Sequence, residues 1–260
     1  QAVMSSHVRE SILEVVKKNG LALRVAPTEL TEDREIVLAA VQENGEALQF
    51  AAEPCRMDRE IVLAAVRNSA FGFKYAQGEC NRDREIVLVA VMGLGSCLQA
   101  AHIACQGDHE IVLAAVRQWG PALKYAADHC KRDREIVLAA VQKNGFALES
   151  AAEECKADRE IVLAAVQHRG FALEYASEEC KADHEIVLAA VQQNWQALQH
   201  AAEERRADHQ IVLAAVQQDP DAIQIASDGL LLHLRYRSEE LLVHSEGLFA
   251  VRSIGRRVLM

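Results

Sequence analysis

Six cysteines recur every 25 residues, at Cys55, Cys80, Cys105, Cys130, Cys155 and Cys180, and a seventh, Cys97, stands outside that register. Cysteine can ligate metal, attack carbonyls or pair as a disulfide, and the spacing decides among these. Equivalent atoms in successive units of a stacked helical repeat lie about 10 Å apart. A disulfide needs its Cα atoms within about 7 Å, and zinc needs every ligand atom about 2.3 Å from one ion. The set therefore reads as a ladder of small buried side chains, and the same position also accepts Leu30, Arg205 and Leu230. Cys97 replaces an alanine and reads as core. Thiols left intact point to an intracellular, reducing compartment.

The other chemistry-bearing residues resolve in the same way. The ten histidines form no HExxH pattern and there is no CxxC, so neither a metal site nor a cofactor is expected. His109, His184 and His209 occupy a position that is usually arginine and read as surface substitutes. The triplets Asp133-Arg134-Glu135 and their equivalents offer paired carboxylates, but the Asp suits a helix N-cap and the Glu suits the first turn, where the helix dipole favours negative charge. The arginine between them reads as solvated. Gly93-Leu94-Gly95-Ser96 lacks the full glycine pattern and preceding strand of a phosphate loop, and reads as a loosened helix junction.

These residues are positioned by a repeat. An Asp opens each unit at Asp33, Asp58, Asp83, Asp108, Asp133, Asp158, Asp183 and Asp208, with no insertion between them. Each unit reads as two short helices. In Asp133–Lys143 the cap is followed by the apolar run IVLAAV, expected to pack on both sides. Gly145 is expected to end that helix in the left-handed conformation, and a second helix is expected over roughly Phe146–Glu153. Pro121 and Pro220 fall at the start of the second helix, Pro27 and Pro54 at its end. A leucine-rich repeat with IVLAAV as a strand is the rival reading, and the Ala-Ala centre together with the missing leucine pattern argues against it. The fold expected is all-α, an α-solenoid: a right-handed superhelix of about nine stacked 25-residue helix-turn-helix repeats with capping ends.

Residues 1–32 form a lead-in and a degenerate capping repeat. Val8 stands where Asp is expected there, so Ser5 or Ser6 would supply the cap, and Ser11, Glu14 and Lys17 suit an outer face with no preceding neighbour. Residues 33–232 carry eight tandem repeats, and residues 233–260 a C-terminal cap or docking tail. The chain begins at Gln1 rather than Met, which reads as a processed or truncated product.

Charge narrows the partners. The net charge is −10. From Gly229 onward there are five Arg against three Glu, which leaves −12 on residues 1–228. An acidic body repels phosphate backbones and anionic lipid surfaces, so no nucleic-acid partner is expected. Apolar runs such as Ile136–Val141 fall far short of the roughly 20 residues needed to span a bilayer, so no membrane insertion is expected.

The tandem signature D-R-E-I-V-L-A-A-V-Q-x-N-G-x-A-L-x-x-A-A-E resembles the family catalogued as domain of unknown function 4116, found in arrays in unicellular eukaryotes and some intracellular bacteria. The resemblance covers about residues 8–230. Members of that family usually carry Leu near the unit's end, as Leu30 and Leu230 do here, where six intervening units carry Cys. The resemblance implies a fold and supplies no catalytic residues.

What varies between units is therefore informative. The position preceding a repeated alanine reads Phe50, Tyr75, Ala100, Tyr125, Ser150, Tyr175, His200 and Ile225. Arg67, Lys74 and Tyr75 are matched by Arg117, Lys124 and Tyr125, a 50-residue super-period. Packing complementarity accounts for the alternation of large and small residues. The functional reading adds Phe71, Phe146 and Phe171, four residues earlier and on one face if the helix is α, with Trp119 and Trp195 at the helix junction. Together with Tyr75, Tyr125 and Tyr175 these make a candidate aromatic ridge flanked by Lys74, Lys124, Glu149 and Glu174. The function expected is a non-enzymatic protein-interaction or structural scaffold, with a protein partner or larger assembly. The alternative is an accessory fragment of a larger enzyme or effector whose catalytic domain lies outside the chain.

Overall fold

The structure, a computed structural model, describes residues 6–226. A cap from the side chains of Ser5 or Ser6 and the tail expected from residue 233 onward lie outside the described residues. The chain divides into two compact units, Gln1–Ala152 and Glu153–Met260. Both are all-α solenoid, and no strand occurs among the described residues.

The first unit contains the long helices Ser6–Lys18, Arg34–Glu43, Arg59–Asn68, Arg84–Gly93, His109–Gln118 and Arg134–Lys143. The second contains Arg159–His168, His184–Gln193 and His209–Gln218. Every regular long helix starts one residue after the repeated Asp, whose carboxylate caps it. Asp33 Oδ1, for example, accepts from the N–H groups of Glu35 at 3.0 Å and Ile36 at 3.2 Å. These bonds satisfy two of the four backbone donors that a helix start leaves unpaired.

The second element of the unit departs from expectation. It is a six-residue 3-10 helix, such as Gly45–Phe50 or Gly145–Ser150, followed by a one-turn α-helix such as Glu53–Arg56 or Glu153–Lys156. Three residues per turn put Gly45, Leu48 and Ala51 on one buried line, and each of these side chains is small or fits against the next repeat. Pro121 and Pro220 do open 3-10 helices, whereas Pro27 and Pro54 stand at the start of the one-turn helix rather than at the end of its predecessor.

The glycine before the 3-10 helix also differs from expectation. The long helix is ended by the residue preceding it, which is extended: Asn44 has φ −144° and ψ 109°, Asn144 φ −155° and ψ 112°. Gly78 is the positive-φ glycine among the described residues, so the left-handed conformation is not what selects glycine at the junction. Close approach selects it. A Cβ on Gly120 would lie 2.6 Å from the carbonyl oxygen of Ala140 in the next repeat, and Gly20, Gly45, Gly95 and Gly170 meet the same obstacle at Ala40, Ala65, Ala115 and Ala190. Where Ala70 replaces this glycine, Gly93 of the following repeat makes room for its methyl group. This is the physical content of the loosened Gly93-Leu94-Gly95 junction.

The core follows the IVLAAV run only in part. Ile136, Val137, Ala140 and Val141 are fully buried, while Leu138 and Ala139 are half-exposed, so the helix packs on one broad side rather than on both. Burying each Ile or Val contributes about 1.5–3 kcal/mol, which no isolated 25-residue unit could turn into a stable fold against its ordering entropy. The first repeat has exposed Ser11, Glu14 and Lys17 as expected, but Val8, Val15, Leu21 and Val25 are exposed as well.

Candidate functional site

Three sets of bonds repeat from one unit to the next and consume the residues with the most obvious chemistry. The first is backbone: Ala52 N–H donates to Thr31 O at 2.9 Å and Ala127 N–H to Gln106 O at 2.8 Å, and in the second compact unit Ser177 N–H donates to Lys156 O at 2.9 Å.

The second set is the cysteine ladder. All seven thiols are free and buried. Cys55 Sγ donates to Glu32 O at 3.4 Å, Cys80 to Met57 O at 3.3 Å, Cys105 to Arg82 O at 3.4 Å, and Cys180 to Ala157 O at 3.6 Å. Arg205, which replaces the cysteine of its repeat, reaches the equivalent carbonyl, that of Ala182, through Nε at 2.7 Å. Where this position carries Cys or Arg, its side chain thus donates to a carbonyl of the preceding repeat, while Leu30 fills the same place with apolar bulk alone. Burial pushes the thiols of Cys55, Cys80, Cys105, Cys130 and Cys180 up, and that of Cys97 to about 11. They stay protonated near neutrality and make poor nucleophiles.

The third set corrects the reading of the triplet arginine as merely solvated. Arg9 holds both carboxylates of the next repeat, Nε to Asp33 Oδ2 at 2.7 Å and Nη2 to Glu35 Oε2 at 2.6 Å. Arg59 does the same with Asp83 at 2.8 Å and Glu85 at 2.6 Å, and Arg34, Arg84 and Arg159 bridge to Asp58 and Glu60, Asp108 and Glu110, and Asp183 and Glu185. His109 and His184 take the arginine's place at 3.5 Å from Asp133 and 3.7 Å from Asp208. The bond from Arg9 holds the Asp33 carboxyl below its ordinary range. For Asp83, burial pulls upward, and the bonds from Arg59 and the Ile86 N–H outweigh it. These carboxylates are already occupied by partners in the preceding repeat. Among the described residues, no three His, Cys, Asp or Glu side chains gather as a group able to hold a metal ion. No helix among them is long and apolar enough to cross a membrane.

The aromatic residues are what the repeat bonds leave over. Tyr75, Tyr125 and Tyr175 are half-buried, Phe71 is 58% exposed, Phe146 40% and Trp119 38%, and Phe171 and Trp195 are half-buried. They do not share a face in the way that α geometry would give. In a 3-10 helix residues three apart eclipse, so Phe71 aligns with Lys74, and Tyr75 is turned about a third of a revolution away. Trp119 stacks on Tyr125 of its own repeat, with centroids 6.3 Å apart and planes at 25°. Phe171 meets His200 of the next repeat edge-on at 5.8 Å, and burial lowers the His200 pKa. Tyr75 Oη lies 3.5 Å from Gln49 Oε1 of the preceding repeat. Trp195 occupies the glycine position at the start of Trp195–His200, at the helix junction. The structure thus brings Trp119 and Tyr125 together and leaves Phe71 open to solvent.

A second surface escaped the sequence reading. Arg117, Glu135, Leu138, Ala139, Gln142 and Lys143 line a shallow open groove on the long-helix side, with Arg117 Nη2 3.5 Å from Glu135 Oε1. The half-exposed Leu and Ala of the apolar run form its floor, and only a period that leaves those two residues at the edge of the buried stripe would have pointed to it.

The repeat bonds define a 25-residue unit, and the comparison with known families recovers it in pairs, in keeping with the 50-residue super-period. One family profile matches four tandem segments, residues 9–56, 58–102, 108–156 and 158–206. No curated protein and no solved structure matches the chain. Because those segments span well over half of the sequence, the chain belongs to the family described as Domain of unknown function (DUF4116).

Proposed function

We propose that this chain is a non-enzymatic protein-interaction scaffold, whose partner is a protein or larger assembly and whose contact surface is the side carrying the 3-10 helices. The observation that carries this reading is the exposure of large rings there, Phe71, Trp119 and Phe146, in a molecule whose repeated polar groups are spent on bonds between repeats. Rings with one wet edge are enriched at protein interfaces, because they bury much area with little loss of side-chain freedom. The buried, protonated thiols and the paired carboxylates support a structural role for the groups that would otherwise suggest catalysis.

Affinity capture with the intact chain, compared with a Tyr75→Ala, Tyr125→Ala, Tyr175→Ala variant of unchanged helical content, tests the surface. Loss of the captured partner from the variant supports it, and equal recovery rejects it.

A further inference from the structure

The 3-10 face is not uniform in charge, and its middle is the exception in an acidic chain. Segments 67–78, 92–107 and 117–127 contain no Asp or Glu, although the sequence holds 38 acidic residues. The outward positions of these three consecutive repeats are Ser69, Phe71, Lys74 and Tyr75, then Leu94, Ser96, Gln99 and Ala100, then Trp119, Pro121, Lys124 and Tyr125. Lys74 and Lys124 are exposed and make no ion pair among the described residues. The preceding repeat carries Glu46 on this face, and the following one Glu149.

The junction between the first two of these repeats, Ala70 against Gly93, departs from the polar clamp that closes other junctions. Elsewhere a side chain at the end of the long helix accepts from the N–H that opens the previous 3-10 helix: Glu43 from Gly20 at 2.6 Å, Asn68 from Gly45 at 2.7 Å, and Gln193 from Gly170 at 3.0 Å. At Ala70 the facing residue is Gly93, which offers no side chain, and Leu94 follows it. Leu94 adjoins Gly95, whose Cα faces Trp119 so closely that a Cβ would lie 2.9 Å from the Trp119 Cβ. The register that sets Phe171 against His200 sets Phe71 against Ala100, which is too small to cover the ring and so accounts for its exposure. The contacts of Gly93 with Ala70 and of Gly95 with Trp119 place Phe71, Leu94 and Trp119 at successive repeat junctions, with Tyr125 stacked on Trp119 and with Lys74 and Lys124 on the 3-10 helices of Phe71 and Tyr125.

We infer that this row of apolar side chains is a docking site for an acidic, apolar peptide segment of a partner protein, in which large hydrophobic side chains seat along the row and carboxylates meet Lys74 and Lys124. The inference rests on the scaffold reading and narrows it to one patch and one partner chemistry. Charge complementarity selects the occupant, since a basic segment would be drawn to the acidic remainder of the molecule instead. A nucleic-acid strand is the weaker fit, because its phosphates need several cationic contacts in a row and two lysines do not supply them.

Fluorescence anisotropy with the full chain tests this, using a labelled 12-residue peptide of alternating Glu and Leu/Phe, its counterpart with Lys for Glu, and a 12-nucleotide oligothymidylate. The acidic peptide should bind best, weaken as salt rises, and lose about tenfold or more in affinity to K74E/K124E, and separately to F71A/W119A. All four side chains are at least partly exposed, and circular dichroism checks that each variant folds. Tighter binding of the basic peptide or the oligonucleotide, no binding of the acidic peptide, or unchanged affinity in K74E/K124E overturns the inference. If the acidic peptide fails while affinity capture still recovers a partner, the scaffold stands and this patch falls; if no partner is recovered either, the scaffold reading falls with it.

Discussion

Replacing Gly120 with Ala separates two explanations of the most regular glycine in the repeat. If glycine were there only for backbone freedom, its ordinary φ would let Ala stabilise the fold by about 0.4–1 kcal/mol, because the unfolded chain would have fewer states to lose. The structure opposes that gain. The new methyl group would stand 2.6 Å from the Ala140 carbonyl oxygen, 3.0 Å from the Asn144 Cβ and 3.1 Å from the Asn144 N. Two of these are backbone atoms of the next repeat, so relief requires separating the repeats by a good fraction of an ångström. Overpacking of this kind costs about 1–3 kcal/mol, leaving a net loss of roughly 1–2 kcal/mol once the entropic gain is set against it. Urea unfolding followed by far-ultraviolet circular dichroism would show a lower midpoint, and Trp119, next in sequence to the substitution, reports the local change by fluorescence. A midpoint equal to or above that of the wild type would refute the close-approach account.

The remaining predictions follow from the other repeat contacts. Gly93→Ala should destabilise because its Cβ would meet the Ala70 Cβ at 2.8 Å, and adding Ala70→Gly should restore most of the loss, as a double-mutant cycle in urea would show. Asp83→Ala removes a cap that accepts from Glu85 and Ile86 at 3.0 and 3.1 Å and should cost roughly 0.5–2 kcal/mol in the same assay. The cap carboxylates of Asp33, Asp58, Asp83, Asp108 and Asp183 are held below their ordinary 3.8, so their stabilisation is complete above that value and is lost as pH falls through the lower folded values. The urea midpoint should therefore drop progressively below about pH 4, less steeply in Asp83→Asn. All seven cysteines should resist a thiol reagent at pH 8 in the folded chain and react together in urea, and fast reaction of the native protein would contradict their burial.

The parts of the fold that depend on neighbours in sequence were legible. Each Asp caps the helix expected of it, and Ile136, Val137, Ala140 and Val141 are the core the apolar run implied. What escaped depends on the offset between repeats. Arg59 meets Asp83 and Glu85 some 25 residues away, and Cys105 meets the carbonyl of Arg82, contacts that no local window contains. The second helix was misread as α because six residues with Ala and Leu at positions three and four suit either helix type. The 3-10 helix forms even where Ala70 or Trp195 stands in place of the glycine, so no single residue of the unit announces it. The aromatic residues were recognised from their types alone, but the 3-10 turn decides which of them stand together, so Trp119 joins Tyr125 while Phe71 stands apart from Tyr75.

The central claim is that the repeated residues build the stack and that recognition lies on the 3-10 face where the repeats disagree. Hydrogen–deuterium exchange of the chain, free and bound to a captured partner, tests it most directly. Protection gained on binding should fall on segments 69–77, 94–100 and 119–125. Protection confined to the Asp-Arg-Glu edge, or to the long-helix groove at Leu138 and Ala139, would contradict it.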